Sequence, residues 1–123
     1  MIDGGFVPGP HAIDSYGNGG FRFAGMSHKG SILALPSGIY EISIAEFFTE
    51  SNLAPLWREA PGAVELLLLG TGTALIPVPE ALRAALRAIN IRVEPMPTGA
   101  AARTYNILLG EKRLVAAALL AVP

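Results

Sequence analysis

Hydrophobic positions come in short alternating bursts over the first third of the chain and in longer runs thereafter. Phe21–Met26 and Ser31–Leu35 are β-compatible runs flanking His28-Lys29-Gly30, and Ile39–Ile44 follows the turn signal Pro36-Ser37-Gly38. Three such runs predict an antiparallel β-meander. In the last, Tyr40, Ile42 and Ile44 alternate with Ile39, Glu41 and Ser43, so the more apolar first set is expected against the core. Upstream, residues 1–20 carry six Gly and two Pro, which predicts an irregular arm ending in a tight turn.

Beyond Ala45 the spacing lengthens. Phe47, Phe48, Leu53, Leu56 and Trp57 recur at helical intervals interrupted by Pro55, predicting two short helical pieces with Asn52 capping the second. Val64–Leu69 is a near-continuous apolar run bounded by Gly70, the pattern of a strand covered on both faces. Pro79–Ile89 reads as a helix with Leu82, Leu86 and Ile89 on one side, Glu80, Arg83 and Arg87 toward water, and Asn90 as its stop. Ile91–Glu94 is a strand ended by Pro95-Met96-Pro97, and Thr98–Leu109 is a second helix. Gly110-Glu111-Lys112 is a turn, and Arg113–Val122 is a final buried strand. The sum is α/β: one domain over residues 1–123, with an N-terminal β-meander packed on a βαβ-α-β half and a mixed sheet.

Composition narrows the function classes. The chain has 123 residues, 51% of them hydrophobic and 15% charged, with a mean hydropathy of +0.45, enough apolar surface for a core and too interrupted for a membrane span. Nine basic and ten acidic side chains give a net charge of −1, so no field gathers nucleic acid. The absence of cysteine removes disulfides, thiolate nucleophiles and zinc-thiolate sites. His11 and His28, far apart and expected in loops, do not have metal-ligand spacing. With neither a secretory h-region nor an Arg-rich leader at the start, the expected compartment is the cytoplasm.

Candidate chemistry concentrates where strands run into helices. Pro95–Asn106 joins a strand end to a helix whose first turn holds Thr98, Gly99 and alanines and no acidic residue, followed by Arg103. Thr98 is the expected N-cap. Either the small residues pack the helix tightly, or they leave N–H groups open to an anionic ligand with Arg103 as its clamp. Gly70-Thr71-Gly72-Thr73 follows the central strand and should face the same crevice, because ligands in open α/β sheets sit beyond the carboxyl ends of strands. It is no dinucleotide or ATP fingerprint, since Leu75 stands where a third glycine is required and no Lys-Ser/Thr pair follows, so no cofactor is expected. Tyr105 shares a helix face with Ala101 and Leu108, and Asn106 lies about a hundred degrees round from it. Asp14–Phe23, with Tyr16 and Arg22, is a binding lip or a folded hairpin. Ser15, Ser27, Ser31 and Ser37 lack a nucleophile elbow, and Glu46, Glu50 and Glu59 read as solvating charge. No catalytic residue is assigned.

Asp14-Ser15-Tyr16-Gly17 through Phe21-Arg22-Phe23, Gly30-Ser31-Ile32 with Pro36-Ser37-Gly38, Leu69-Gly70-Thr71-Gly72, and Pro95 through Asn106 together resemble a small domain-of-unknown-function family. That family includes mitochondrial complex I assembly factor 3 and an adipogenesis-associated cytoplasmic protein. The resemblance spans essentially the whole chain. It implies a three-layer α/β fold around a central mixed five-stranded sheet, with the Gly-Thr-Gly and Pro-Thr-Gly segments lining one crevice, and no settled catalytic activity. It also implies protein partners, either respiratory-complex subunits or another assembly factor. Two expectations therefore stand. One is a non-enzymatic assembly or interaction protein presenting Tyr16, Phe21, Arg22 and Arg103, with a homodimer as one use of that patch. The other is a binder of a small anion, or an enzyme, using Thr71, Gly72, Thr98, Gly99, Arg103, Tyr105 and Asn106.

Overall fold

The computed structural model describes residues 6–43 and 48–123. Ile44, Glu46 and Phe47, to which the sequence pattern assigned a strand end, a carboxylate and a helical contact, lie outside the described residues. The central strand Leu66–Gly70 (β7) is flanked in parallel by Arg92–Met96 (β8) and Val115–Leu119 (β9). Antiparallel pairing then continues through Ser31–Leu35 (β5), Gly38–Ile42 (β6) and Phe6–Pro8 (β1), giving the order β1-β6-β5-β9-β7-β8. The sheet is mixed, as expected. It has six strands rather than five because Phe6–Pro8, part of the arm read as irregular, pairs with β6 and sets Phe6 against Tyr40 with ring centroids 4.5 Å apart.

The expected meander is split between two sheets. Ser15–Gly17 (β2), Gly20–Phe23 (β3) and Met26–Lys29 (β4) form a separate three-stranded sheet. Its two turns, Asn18-Gly19 and Ala24-Gly25, hold positive φ at both central residues, the backbone that matches the right-handed twist of a tight hairpin. Phe21–Met26 is therefore not one strand, and His28 lies in β4 rather than in a loop. Gly30, at φ +101°, makes the corner that sends the chain from β4 into β5.

Alternation along the strands builds a core on each face of the large sheet. Leu33, Leu35, Ile42, Leu67, Leu69, Val93, Ala116 and Ala118 meet Leu82 and Leu86 of the helix Glu80–Ala88 (α1) together with Phe48, Leu53 and Leu56. Ile32, Ala34, Ile39, Leu68, Val115, Ala117 and Leu119 meet Ala101, Ala102 and Tyr105 of the helix Thr98–Gly110 (α2), with Phe21 and Phe23 of the small sheet. Both sides of β6 are thus covered, not one. The placement of the helices follows from chain direction. β7 to β8 runs outward and β8 to β9 runs back past β7, so two crossovers of the same right-handed sense put α1 and α2 on opposite faces.

Local signals shift by a residue or two. Pro97, not Thr98, stands at the N-cap of α2, and Thr98 is its first helical residue. Its hydroxyl is engaged elsewhere, as described below. Asn52 does not cap the 3-10 helix Ala54–Arg58, which begins after Leu53; its Oδ1 instead accepts hydrogen bonds from the backbone N–H (2.5 Å) and hydroxyl (3.0 Å) of Thr49. Asn90 stops α1 as read, with φ +60°, the left-handed geometry that asparagine tolerates better than branched residues.

Candidate functional site

The turn after β7 and the start of α2 converge, as the strand-end argument requires, and they are bonded to each other. Thr71 N–H donates to the Met96 carbonyl at 2.8 Å and Thr98 N–H to the Gly72 carbonyl at 2.8 Å. The Thr98 hydroxyl, fully buried, accepts from Gly72 N–H at 3.0 Å and donates to the Leu120 carbonyl at 2.8 Å. Leu120 N–H closes the ring by donating to Gly70 O at 2.9 Å. One threonine thus ties together the carboxyl ends of β7, β8 and β9. Thr71 organises its own loop, its hydroxyl donating to Ala74 O at 2.6 Å and accepting from Ile76 N–H at 3.2 Å.

Close approach explains the glycines. A Cβ on Gly70 would sit 2.8 Å from Leu119 Cδ2 and 3.1 Å from Thr98 Cα, and Gly72 holds φ +94°. A Cβ on Gly99 would collide with the Tyr16 hydroxyl, so the phenol of β2 lies directly on the first turn of α2. Arg103 Nη1 donates to that phenol at 3.3 Å. At this helix start the Thr98 N–H is taken by Gly72 O and the Tyr16 phenol lies over Gly99.

The remaining candidates sort differently. Asn106 acts as a strand-like partner to the arm: its Nδ2 donates to Ile13 O and its Oδ1 accepts from Ile13 N–H, both at 2.8 Å. Tyr105, 1% exposed, donates from its hydroxyl to His11 O at 3.2 Å, and burial pushes its pKa up to about 12. Both residues hold the N-terminal arm on α2. Arg22 is on the opposite side of the small sheet from Tyr16, bonded to Ser27 Oγ at 2.6 Å. Phe21 is 2% exposed. Tyr16, Phe21, Arg22 and Arg103 therefore do not make one patch, because neighbouring residues of a strand point to opposite faces.

Asn106→Ala should cost about 2 kcal/mol by leaving the N–H and C=O of buried Ile13 without partners. Hydrogen exchange should accelerate over residues 11–15 while β7 stays protected. Equal acceleration in β7 would show that the arm is not held locally.

Two features escaped the sequence pattern. Leu75 and Ile76, 60% and 44% exposed, form an apolar tip on the loop between β7 and α1; the signal available was the run Ala74-Leu75-Ile76-Pro77-Val78 without strand or helix period. His28 is 4% exposed, and neither ring nitrogen completes a hydrogen bond. Burial lowers its pKa below the ordinary 6.5, opposed by the Glu41 carboxylate and a weak approach to the Ser31 backbone. A lowered folded pKa means that the unfolded chain binds more protons. Its contribution is then complete above 6.5 and lost as pH falls below that value toward the folded pKa. Urea midpoints of wild type should drop on acidification more than those of His28→Leu; parallel curves would contradict this.

A three-layer mixed α/β domain whose strand ends are closed by its own hydrogen bonds defines the structural class. Residues 13–120 match the family described as protein of unknown function (DUF498/DUF598), and the chain belongs to that family. An uncharacterized protein of Rhodobacter capsulatus is 42% identical over 111 residues, covering 90% of this chain and 85% of its own length. The human NADH dehydrogenase [ubiquinone] 1 alpha subcomplex assembly factor 3 is 30% identical over 113 residues, covering 90% of this chain. The match spans 61% of that human protein. A crystal structure described as an outer membrane protein from Bartonella henselae superposes with a TM-score of 0.90 at 50% identity, covering 94% of this chain and 98% of that one. Among the described residues no helix is long and apolar enough to cross a membrane.

Proposed function

We propose that this chain is a non-enzymatic interaction factor that assists assembly of a respiratory NADH dehydrogenase. The supporting observation is the 30% identity to the human assembly factor across 90% of this chain. The geometry is compatible with that role. The N–H groups of Thr71, Gly72 and Thr98 in the strand-end crevice are engaged within the chain, while Leu75 and Ile76 project at the same end of the sheet as Tyr16 and Arg103. Exposed large apolar side chains with a polar surround are what protein interfaces use. A cytoplasmic working place belongs to this reading.

The test is capture with tagged wild type, Leu75→Ser/Ile76→Ser and Arg103→Ala from detergent-solubilised lysate of the native cell, quantifying NADH dehydrogenase subunits. Wild type should retain them, and the loop variant should lose them with folding intact by circular dichroism. Absence of those subunits from the wild-type eluate would overturn the reading.

A further inference from the structure

A cleft of about 590 Å³ opens at the opposite end of the sheet, by the amino-terminal ends of β7 and β8. It is lined by the buried Leu56, Val64 and Ile91 and by half-buried Trp57. Ile89 also lines it. By helical spacing that residue belongs with Leu82 and Leu86, yet it is 36% exposed here. The volume lies within the roughly 300–1,000 Å³ of ordinary ligand sites. It is several times the ~150 Å³ that accommodates a benzene ring, so it exceeds what one side chain would fill.

The charge around the cleft selects a sign. Glu59 and Glu65 contribute two carboxylates against the single guanidinium of Arg92. Glu59 is held in place, its Oε1 accepting from Ser37 N–H at 3.1 Å. The ion pair found among the described residues is Arg87–Glu80, so Arg92 neutralises neither carboxylate at contact distance. Ile89 and Asn90 bring the carboxyl end of α1 to the rim, adding the partial negative charge of a helix terminus. An indole beside carboxylates is also a favourable seat for an organic cation.

We propose that this cleft binds a small organic cation with an aromatic body, of the arylalkylammonium class, its ring among Trp57, Ile89 and Ile91 and its ammonium toward Glu59 and Glu65. The site stands independently of the assembly reading, because it uses the other end of the sheet and needs no protein partner.

Trp57 is the sole tryptophan of the chain, so its emission reports occupancy directly. The experiment titrates the protein with phenethylammonium, with phenylacetate as the isosteric anion, and with Nα-acetyl-lysine amide as a basic side chain without a ring. Wild type should show a saturable emission change with phenethylammonium. The other two probes should bind at least about tenfold more weakly, and Glu59→Gln/Glu65→Gln should lose about tenfold in affinity for the cation. Glu65→Gln alone, which leaves the Glu59 contact to Ser37 in place, should show part of the loss and guards against a folding defect in the double variant. No saturable change, equal binding of phenylacetate, or unchanged affinity in both variants overturns the proposal. Equal binding of the lysine amide overturns it too, and assigns the cleft to a protein side chain.

Discussion

Phe23→Ala should lower the stability of the protein by about 3–5 kcal/mol, the range for deleting a buried aromatic ring. Phe23 is 0% exposed and sits where the small sheet meets α2 and the second face of the large sheet. The space it leaves should stay open, because Phe21, Ile32 and Tyr105 of the same core cluster are themselves held by strand pairing and, for Tyr105, by the bond to His11. Natural domains hold only about 5–15 kcal/mol in total, so the variant should unfold at a much lower urea concentration with little change in slope. A loss below about 1 kcal/mol would mean that the small sheet is not docked through this side chain. The functional corollary concerns Tyr16: it reaches Gly99 only while the small sheet is seated, so its exposure should rise with the same substitution.

Thr98→Val is the second large expected effect, at about 2–4 kcal/mol. Valine keeps the shape and removes the hydroxyl, leaving Gly72 N–H without an acceptor and Leu120 O without a donor. Each unsatisfied group at a buried position costs about 1–3 kcal/mol. Thr98→Ser keeps both bonds and loses one buried methyl, worth about 1 kcal/mol. The ordering Val worse than Ser therefore isolates the hydroxyl. Hydrogen exchange at Gly72 should accelerate in Thr98→Val and stay slow in Thr98→Ser. If serine were the worse replacement, methyl packing rather than the hydroxyl bonds would hold the strand ends together.

The parallel half of the fold was legible because its signals are short-range. A run such as Val64–Leu69 must be covered on both faces, and Leu82 and Leu86 mark a buried helix stripe by spacing alone. The converging loops at Thr71 and Thr98 were legible too, since chain direction places the ends of parallel strands together. The role of Thr98 was not. A threonine after proline at a helix start reads as a cap, and only the return of Leu120 from the far end of the chain supplies the carbonyl that takes its proton.

The same limit explains the patch that did not form. Tyr16 and Arg22 are close in sequence and both polar at the tip, but hairpin register decides that Tyr16 shares a face with Phe21 while Arg22 shares the other with Ser15 and Ser27. Helix spacing sets only the angle of Asn106 from Tyr105, whereas its partner Ile13 is 93 residues away.

By itself, then, the sequence determined the α/β class, the parallel βαβ order, the two-sided burial of the central strand and the meeting of two strand-end loops, because alternation and helical spacing are local consequences of burying apolar side chains. Tertiary structure alone decided that those loops close on one another, that the β-hairpins divide between two sheets, and that Trp57 and Ile89 face a common cleft. Hydrogen-bond satisfaction and open volume depend on which distant segments come to lie against a residue, and no local periodicity records that.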